Sequence, residues 1–383
     1  MPLGLENQCH YAKPTAKSRA WIVIYLLSCF TCSEIYAHPS TAFFYGKPVP
    51  VDLLTHFEQV VVESDNIDNI DQFTAKGVTV FAYLSVGEIN RSRPWYSEIP
   101  KTWLLGENKA WGSSIVDLSK KEWQDYLINK LMAPLWERGY NGFFLDTLDS
   151  YQLITEDPNL RLAQQKALIN LIRTMHHRFP GIKLIFNRGF DLLPDIANYA
   201  VAVAAESLFQ RWNSVSSSYD EVSESDRSWL LNKLNQVQDQ YGLHIIVIDY
   251  VSPKQRGVAR EVARGIAALG FTPWVSNPSL DMLGIGSLEV FPKRILALYD
   301  GQEQSGGLQN SKVHKLLATS LKYFGYTIEY ADARKRLPNY CLVGQYTAIV
   351  TWFTSDELSQ SEAYKLWLMR QFNDGMKVVI LGE

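Results

Sequence analysis

The sequence predicts an α/β protein in which a (β/α)8 barrel of the TIM type is followed by an incomplete, flavodoxin-like parallel sheet. Short apolar runs alternate with helical stretches, and this alternation repeats eight times between residues 41 and 276. That length and rhythm are typical of a (β/α)8 barrel. The alternation resumes after residue 290 with four more strand-like runs, which predicts a second, smaller parallel sheet.

Eight runs have the length of buried strands and are bounded by turn signals or polar residues. The run at 142–146 is typical of a strand buried on both faces, because its apolar side chains follow one another without alternation. The eight predicted strands are Ala42–Tyr45, Gln59–Glu63, Val78–Ser85, Gly142–Asp146, Lys183–Asn187, Ala200–Glu206, His244–Tyr250 and Thr272–Ser276.

Helices are expected between these strands. Ser119 and Glu122 have the spacing of a capping box, and Leu160–Phe179 carries apolar residues at helical spacing. Asp226 is expected to cap the helix before the seventh strand. Ser252 and the proline after it are expected to start the helix before the eighth.

Three segments are predicted: a signal peptide at 1–37, the barrel at 38–289 and a partial flavodoxin-like domain at 290–383. Few elements follow the last predicted strand to cover its face, so we expect the third segment to be an incomplete domain. Its elements are strands at Arg294–Tyr299, Tyr326–Tyr330, Thr347–Phe353 and Lys377–Leu381, with helices at Ser311–Phe324 and Glu357–Phe372.

The first residues have the pattern of an export signal. Basic residues precede the apolar run Trp21–Cys32, and Ala37 is a small residue at a plausible cleavage point. This predicts an exported protein, periplasmic or secreted, with no membrane span in the mature chain. A lipid anchor at Cys29 is the less favoured outcome. Removing the leader leaves Cys341 alone, so no disulfide framework is expected.

Composition narrows the range of partners. The formal net charge is −3, so nothing favours a nucleic-acid partner. Aromatic residues make up 13% of the chain, which suits sugar binding but also suits the interior of a large barrel. No His/Cys cluster has zinc spacing and no G-x-S-x-G is present, so we expect neither a metal nor a cofactor.

Polar and aromatic residues gather where the predicted strands end, and in a barrel these ends converge on one opening. Asp146 and Glu206 are the predicted catalytic pair, because paired carboxylates are the equipment of glycoside hydrolysis. The candidate substrate-binding residues are Tyr45, Tyr83, Ser85, Glu88, Asp149, Asn187, Arg188, Trp212, Asp249, Tyr250 and Trp274.

The surroundings of the two acids suggest different roles. Glu206 follows a run of small apolar residues, which should raise its pKa and favour a general acid. Asp146 is expected beside Arg188, which would favour an ionised nucleophile. The sequence leaves open which acid is the nucleophile, whether the anomeric configuration is retained or inverted, and whether both acids merely pair with basic residues.

Five segments together resemble glycoside hydrolases of the endo-α-1,4-polygalactosaminidase type, families 114 and 166. The segments are Tyr83-Leu-Ser-Val-Gly-Glu88, Gly142-Phe-Phe-Leu-Asp-Thr-Leu-Asp149, Asn187-Arg-Gly189, Ala205-Glu-Ser207 and Asp249-Tyr250. The resemblance implies hydrolysis of an α-1,4-linked galactosamine or N-acetylgalactosamine polysaccharide, a Pel-like biofilm exopolysaccharide, by acids matching Asp146 and Glu206. It leaves open whether other Pel export proteins are partners. The alternative is a non-catalytic polysaccharide-binding barrel within an export assembly.

Overall fold

The computed structural model describes residues 38–154, 156–303, 307–354 and 358–382. Pro39–Glu383 fold as one compact unit. The predicted signal peptide, residues 1–37, and the possible anchor Cys29 lie outside the described residues. None of the helices in the described part of the chain is both long and apolar enough to cross a membrane.

Eight parallel strands form the first and larger sheet. They are β1 (Thr41–Phe44), β2 (Gln59–Val62), β3 (Thr79–Ser85), β4 (Gly142–Asp146), β5 (Lys183–Asn187), β6 (Ala200–Glu206), β7 (His244–Tyr250) and β8 (Thr272–Ser276). Each strand pairs with the next in chain order. The outermost strands, β1 and β8, lie next to each other, so the sheet nearly closes. The predicted (β/α)8 barrel is confirmed.

Helical segments cover the outside of the barrel. The α-helices between its strands are α1 (Val51–Leu54), α2 (Asp71–Thr74), α3 (Lys121–Tyr126), α4 (Ala133–Glu137), α5 (Pro158–Arg178), α6 (Leu193–Ile196), α7 (Glu224–Tyr241) and α8 (Arg256–Ala268). A π-helical stretch, Leu127–Met132, joins α3 to α4. Sequential strands and helices of this kind force a parallel sheet that is buried on both faces.

Three predicted helix starts are wrong. Ser223 caps α7 by accepting a hydrogen bond from the Asp226 N–H, which places Asp226 inside the first turn. Ser119 donates to the Asp117 carboxylate instead of capping α3. The helix before β8 starts at Arg256, beyond the predicted start at Ser252. Only α7 of these three helices has a side-chain cap, and there Ser223 takes the position expected for Asp226.

A second, four-stranded parallel sheet follows the barrel, as the sequence predicts. Its strands are β9 (Arg294–Tyr299), β10 (Thr327–Asp332), β11 (Ala348–Trp352) and β12 (Val378–Leu381), in the order β10-β9-β11-β12. The helices α9 (Ala318–Tyr323) and α10 (Ser361–Asn373) connect them. This order, with the first strand in the middle, is that of a flavodoxin-like sheet.

Candidate active site

Asp146, Asn187 and Glu206 meet at the carboxyl ends of β4, β5 and β6. The Asn187 side-chain amide donates to Asp146 Oδ1 at 2.8 Å and to Glu206 Oε1 at 3.3 Å. Because one nitrogen bonds to both, the two acceptor oxygens can be no farther apart than the combined length of these two bonds. The two acids predicted to act together therefore share one opening.

Three donors surround the Asp146 carboxylate. β4 is buried from Gly142 to Leu145 and becomes half-buried at Asp146, so the strand delivers this acid to the rim of the core. The Tyr83 hydroxyl donates to Oδ2 at 2.7 Å, and the Thr147 N–H donates to Oδ1 at 2.7 Å, beside the Asn187 bond. Thr147 has a φ of +64°, which turns its N–H back toward the carboxylate. Hydrogen bonds of this kind hold a carboxylate in one orientation.

The Glu206 carboxyl lies in a more apolar setting. Ala202–Ala205 of β6 are buried, and among the described residues Tyr250 and Asn187 are the donors to the carboxyl oxygens. Burial first, and the charge of Asp146 second, raise the pKa of Glu206 to about 7, while the Tyr250 hydrogen bond and Arg188 oppose this rise. A carboxyl group with such a pKa is protonated for much of the time near neutrality and can donate a proton.

Arg188 does not lie where the sequence suggests. Its guanidinium donates to the main-chain carbonyl of Glu206, so it braces β6 instead of pairing with the Asp146 carboxylate. Arg188 has a φ of +57°, a left-handed backbone that sends the side chain across to the neighbouring strand. Its charge also opposes the burial that raises the pKa of half-buried Asp149.

Aromatic side chains form one wall of the opening. The rings of Tyr45 and Tyr83 lie 5.0 Å apart, and the Tyr250 hydroxyl donates to the Glu206 carboxyl. Burial, and after it the charges of the nearby carboxylates, raise the pKa of all three tyrosines well above the usual value. They are therefore neutral hydrogen-bond donors at physiological pH. After β6 the strands Gln210–Asn213 and Ser218–Glu221 form an antiparallel hairpin, in which Trp212 is half-buried with its ring 4.9 Å from that of Tyr219.

Three predicted binding residues, Asp249, Trp274 and Glu88, are buried in this structure, and a fourth, half-buried Ser85, is engaged in hydrogen bonds. Asp249 is fully buried and accepts hydrogen bonds from the N–H groups of residues 208, 209 and 210 at 2.6–2.8 Å. Trp274 is also fully buried, against Phe57. Glu88 is buried and bonded to Asn108 and Ser113, and Ser85 bonds within the same loop to the Glu88 carbonyl. Asp249 and Glu88 therefore hold the loops that follow β6 and β3, and Trp274 fills the barrel interior.

Three residues near the catalytic pair, Thr147, Arg93 and Glu63, are not among the candidates that the sequence predicts. The Thr147 hydroxyl accepts a hydrogen bond from the Gly87 N–H, so it ties the ends of β3 and β4 together. Arg93 lies over the ring of Tyr83, 5.8 Å from its centroid, and forms a 2.7 Å ion pair with Glu63. Glu63 directly follows β2, so the strand-end rule that selected the other candidates also points to it.

Comparison with known proteins identifies the class of enzyme. A model of glycoside-hydrolase family GH114 matches residues 37–292. The chain belongs to family GH114. As a GH114 protein it is a glycoside hydrolase, and the carboxylate pair lies in the part of the chain that matches the family.

Solved structures resemble this GH114 enzyme. The glycoside hydrolase domain of PelA from Pseudomonas aeruginosa is 38% identical, with a TM-score of 0.62, over 66% of this chain and 100% of that one. Ega3 from Aspergillus fumigatus, solved with galactosamine, is 15% identical with a TM-score of 0.47 over 65% and 94%, a likeness too low to carry an argument about function. No curated protein sequence matches the chain.

Proposed function

We propose that this GH114 enzyme is an exported endo-glycosidase that hydrolyses an α-1,4-linked galactosamine or N-acetylgalactosamine polysaccharide of the Pel type. The observation that carries the proposal is the shared Asn187 amide, which donates to both Asp146 and Glu206 and so keeps the two carboxyl groups close together. The likeness to the PelA hydrolase domain, 38% identical over that whole domain, supports this substrate class. Both findings favour an enzyme over a barrel that only binds the polymer.

The separation of the acids supports a retaining mechanism. Carboxyl groups of retaining glycosidases lie about 5–5.5 Å apart, whereas inverting enzymes leave about 6.5–9.5 Å for a water molecule. Because one Asn187 nitrogen bonds to one oxygen of each acid, at 2.8 Å and 3.3 Å, the nearest oxygens of the two carboxyl groups lie close together, which favours the retaining arrangement. In the first step Asp146 attacks the anomeric carbon while the protonated Glu206 gives its proton to the glycosidic oxygen. The bond between the anomeric carbon and that oxygen breaks.

A second step releases the product. Glu206, now ionised, takes a proton from water, and the water oxygen attacks the anomeric carbon and displaces Asp146. Tyr83 and the Thr147 N–H hold Asp146 in place in both steps. Tyr250 donates to Glu206 and stabilises its charge once the proton has left.

The test is the release of reducing ends from a partly deacetylated α-1,4-galactosaminogalactan, with the products sized by mass spectrometry. We expect internal cleavage by the wild-type enzyme, and Asp146→Asn and Glu206→Gln should each lose it while they still bind the polymer. Asp239→Asn, the same change at an exposed acid of α7, is the matched control and should cleave normally. Equal cleavage by all four proteins would refute the catalytic pair. Binding without cleavage by the wild type would favour the non-catalytic alternative.

The leader at 1–37 and the similarity to PelA support a periplasmic or secreted location and a link to Pel export proteins. Fractionation of cells that express the full chain, with N-terminal sequencing of the mature protein, tests the location. Cleavage near Ala37 supports simple export, and a mature chain that starts at a lipid-modified Cys29 would instead indicate an anchored protein.

A further inference from the structure

A partly exposed aromatic pair lies on the β5–β6 side of the barrel, and its Phe190 ring is half-buried against the core. Trp229, in the second turn of α7, is 50% exposed, although tryptophan is usually well buried. Its indole meets the ring of Phe190 edge to face, with the centroids 6.2 Å apart. Two rings at a steep angle form a shallow apolar corner that faces solvent.

This corner is connected to the catalytic pair through a very short length of chain. Phe190 is three residues after Asn187, the residue whose amide donates to both carboxylates. Three residues span at most about 11 Å, so the corner lies within reach of an oligosaccharide held at these acids. Trp229 is close to the same end of the barrel, because α7 begins after the hairpin that leaves the carboxyl end of β6.

The chemistry of the corner suits an amino sugar. The faces of aromatic rings carry partial negative charge, which attracts the partly positive C–H groups on one face of a pyranose ring. Asp191, directly after Phe190, is exposed, and its carboxylate accepts a hydrogen bond from the Gln152 side-chain amide at 3.2 Å. A carboxylate at this rim attracts the ammonium group of an unacetylated hexosamine.

We propose that Trp229 and Phe190 form a distal subsite that stacks against one pyranose ring of a hexosamine polymer, at least one unit away from the bond that is cleaved. This inference rests on the proposed function, since it assigns a further binding position on the same substrate. The subsite makes the enzyme prefer long chains, because only a chain that extends beyond the carboxylates reaches it.

Isothermal titration of the Glu206→Gln protein with α-1,4-linked galactosamine oligomers, from the disaccharide to the hexasaccharide, tests the subsite. Adding Trp229→Ala should weaken hexasaccharide binding by about three- to tenfold, the worth of one aromatic stacking contact, and leave disaccharide binding unchanged. Trp229→Phe should restore most of the loss. Equal affinities of parent and variant at every length, or an equal loss at every length, would overturn the inference.

A control variant and the behaviour of the parent Glu206→Gln protein distinguish loss of the subsite from other causes of weak binding. Tyr323→Ala removes an exposed aromatic ring that lies on α9 beside the second sheet, and it should bind every oligomer as the parent does. If the parent Glu206→Gln protein binds no oligomer of any length, the proposed substrate is wrong and the subsite falls with it. If the parent binds and Trp229→Ala binds equally well, only the subsite is wrong.

Discussion

The hydrogen bond from Tyr250 to Glu206 makes a prediction about the pH dependence of catalysis. The Tyr250 hydroxyl favours the ionised form of Glu206 and so holds its pKa down, to about 7. Catalysis needs Glu206 protonated, so kcat/KM should fall above a pH of about 7. In Tyr250→Phe this hydrogen bond is absent, so the pKa of Glu206 should rise and the alkaline limb should move to higher pH.

The size of the shift follows from the strength of one hydrogen bond to a charged group. Such a bond contributes about 1.5–3 kcal/mol, and a pKa unit corresponds to about 1.4 kcal/mol. The Tyr250 hydroxyl also donates to the protonated form of Glu206, so only part of the hydrogen-bond energy separates the two forms. The lower energy therefore applies, and we expect the alkaline limb to shift by about one pH unit. The ring of Tyr250 is preserved in phenylalanine, so packing against the neighbouring strands changes little.

The assay is the pH profile of kcat/KM for oligosaccharide cleavage by the wild type and Tyr250→Phe. Tyr45→Phe is the matched control, since burial and the charge of Asp146 act on Tyr45 but its hydroxyl does not donate to the Glu206 carboxyl. The alkaline limb of the Tyr45→Phe profile should stay at the wild-type pH, even if this variant is slower. An unmoved limb in Tyr250→Phe, or one that moves to lower pH, would refute the assignment of Glu206 as the proton donor.

Three further substitutions test the scaffold of the site. Asn187→Ala removes a hydrogen bond to each carboxylate, so kcat/KM should fall about 10- to 100-fold with little change in melting temperature; a fall of less than about twofold would contradict the bridging role. Asp249→Asn replaces one of the two oxygens that accept hydrogen bonds from three backbone N–H groups. Denaturant titration should therefore show a loss of about 2–3 kcal/mol in the free energy of unfolding. An unchanged stability would contradict the structural role of Asp249 and favour a role in substrate binding. Gly142→Ala would place a Cβ in overlap with the Lys183 carbonyl oxygen, so we expect a loss of more than about 3 kcal/mol by the same titration, and a native-like midpoint would show that β4 and β5 can separate.

The sequence predicts the barrel and the position of the acids because both follow from regular patterns. Uninterrupted apolar runs mark the parallel strands, and the acid that ends each of β4 and β6 is carried to the opening by the sheet itself. Asp146 and Glu206 therefore lie near each other, as expected from their strand positions alone.

Side-chain direction explains why Asp249 and Trp274, two predicted binding residues, do not face the opening. Successive residues of a strand point to opposite faces, so only one of Asp249 and Tyr250 can face the opening. Tyr250 reaches Glu206, and Asp249 points to the loop after β6. Trp274 pairs with Ile248, two residues before the strand ends, and so lies in a deeper layer of the barrel.

The prediction that Arg188 lies beside Asp146 is wrong for another reason, which is the conformation of the backbone. Strand patterns do not encode a left-handed residue at the end of β5, and it is this φ of +57° that turns Arg188 toward the Glu206 carbonyl. Arg93 was missed because it reaches Glu63 from a separate loop, and no local pattern in the sequence indicates that ion pair, whereas the strand-end rule could have identified Glu63.

The configuration of the first product is the most direct test of the close carboxylate pair. Proton NMR of a freshly started reaction distinguishes the anomers before they equilibrate in water. Two acids held by one Asn187 amide predict that the α-linked substrate releases an α-anomer first. A β-anomer as the first product would contradict the account, because it requires a water molecule between acids that stand farther apart.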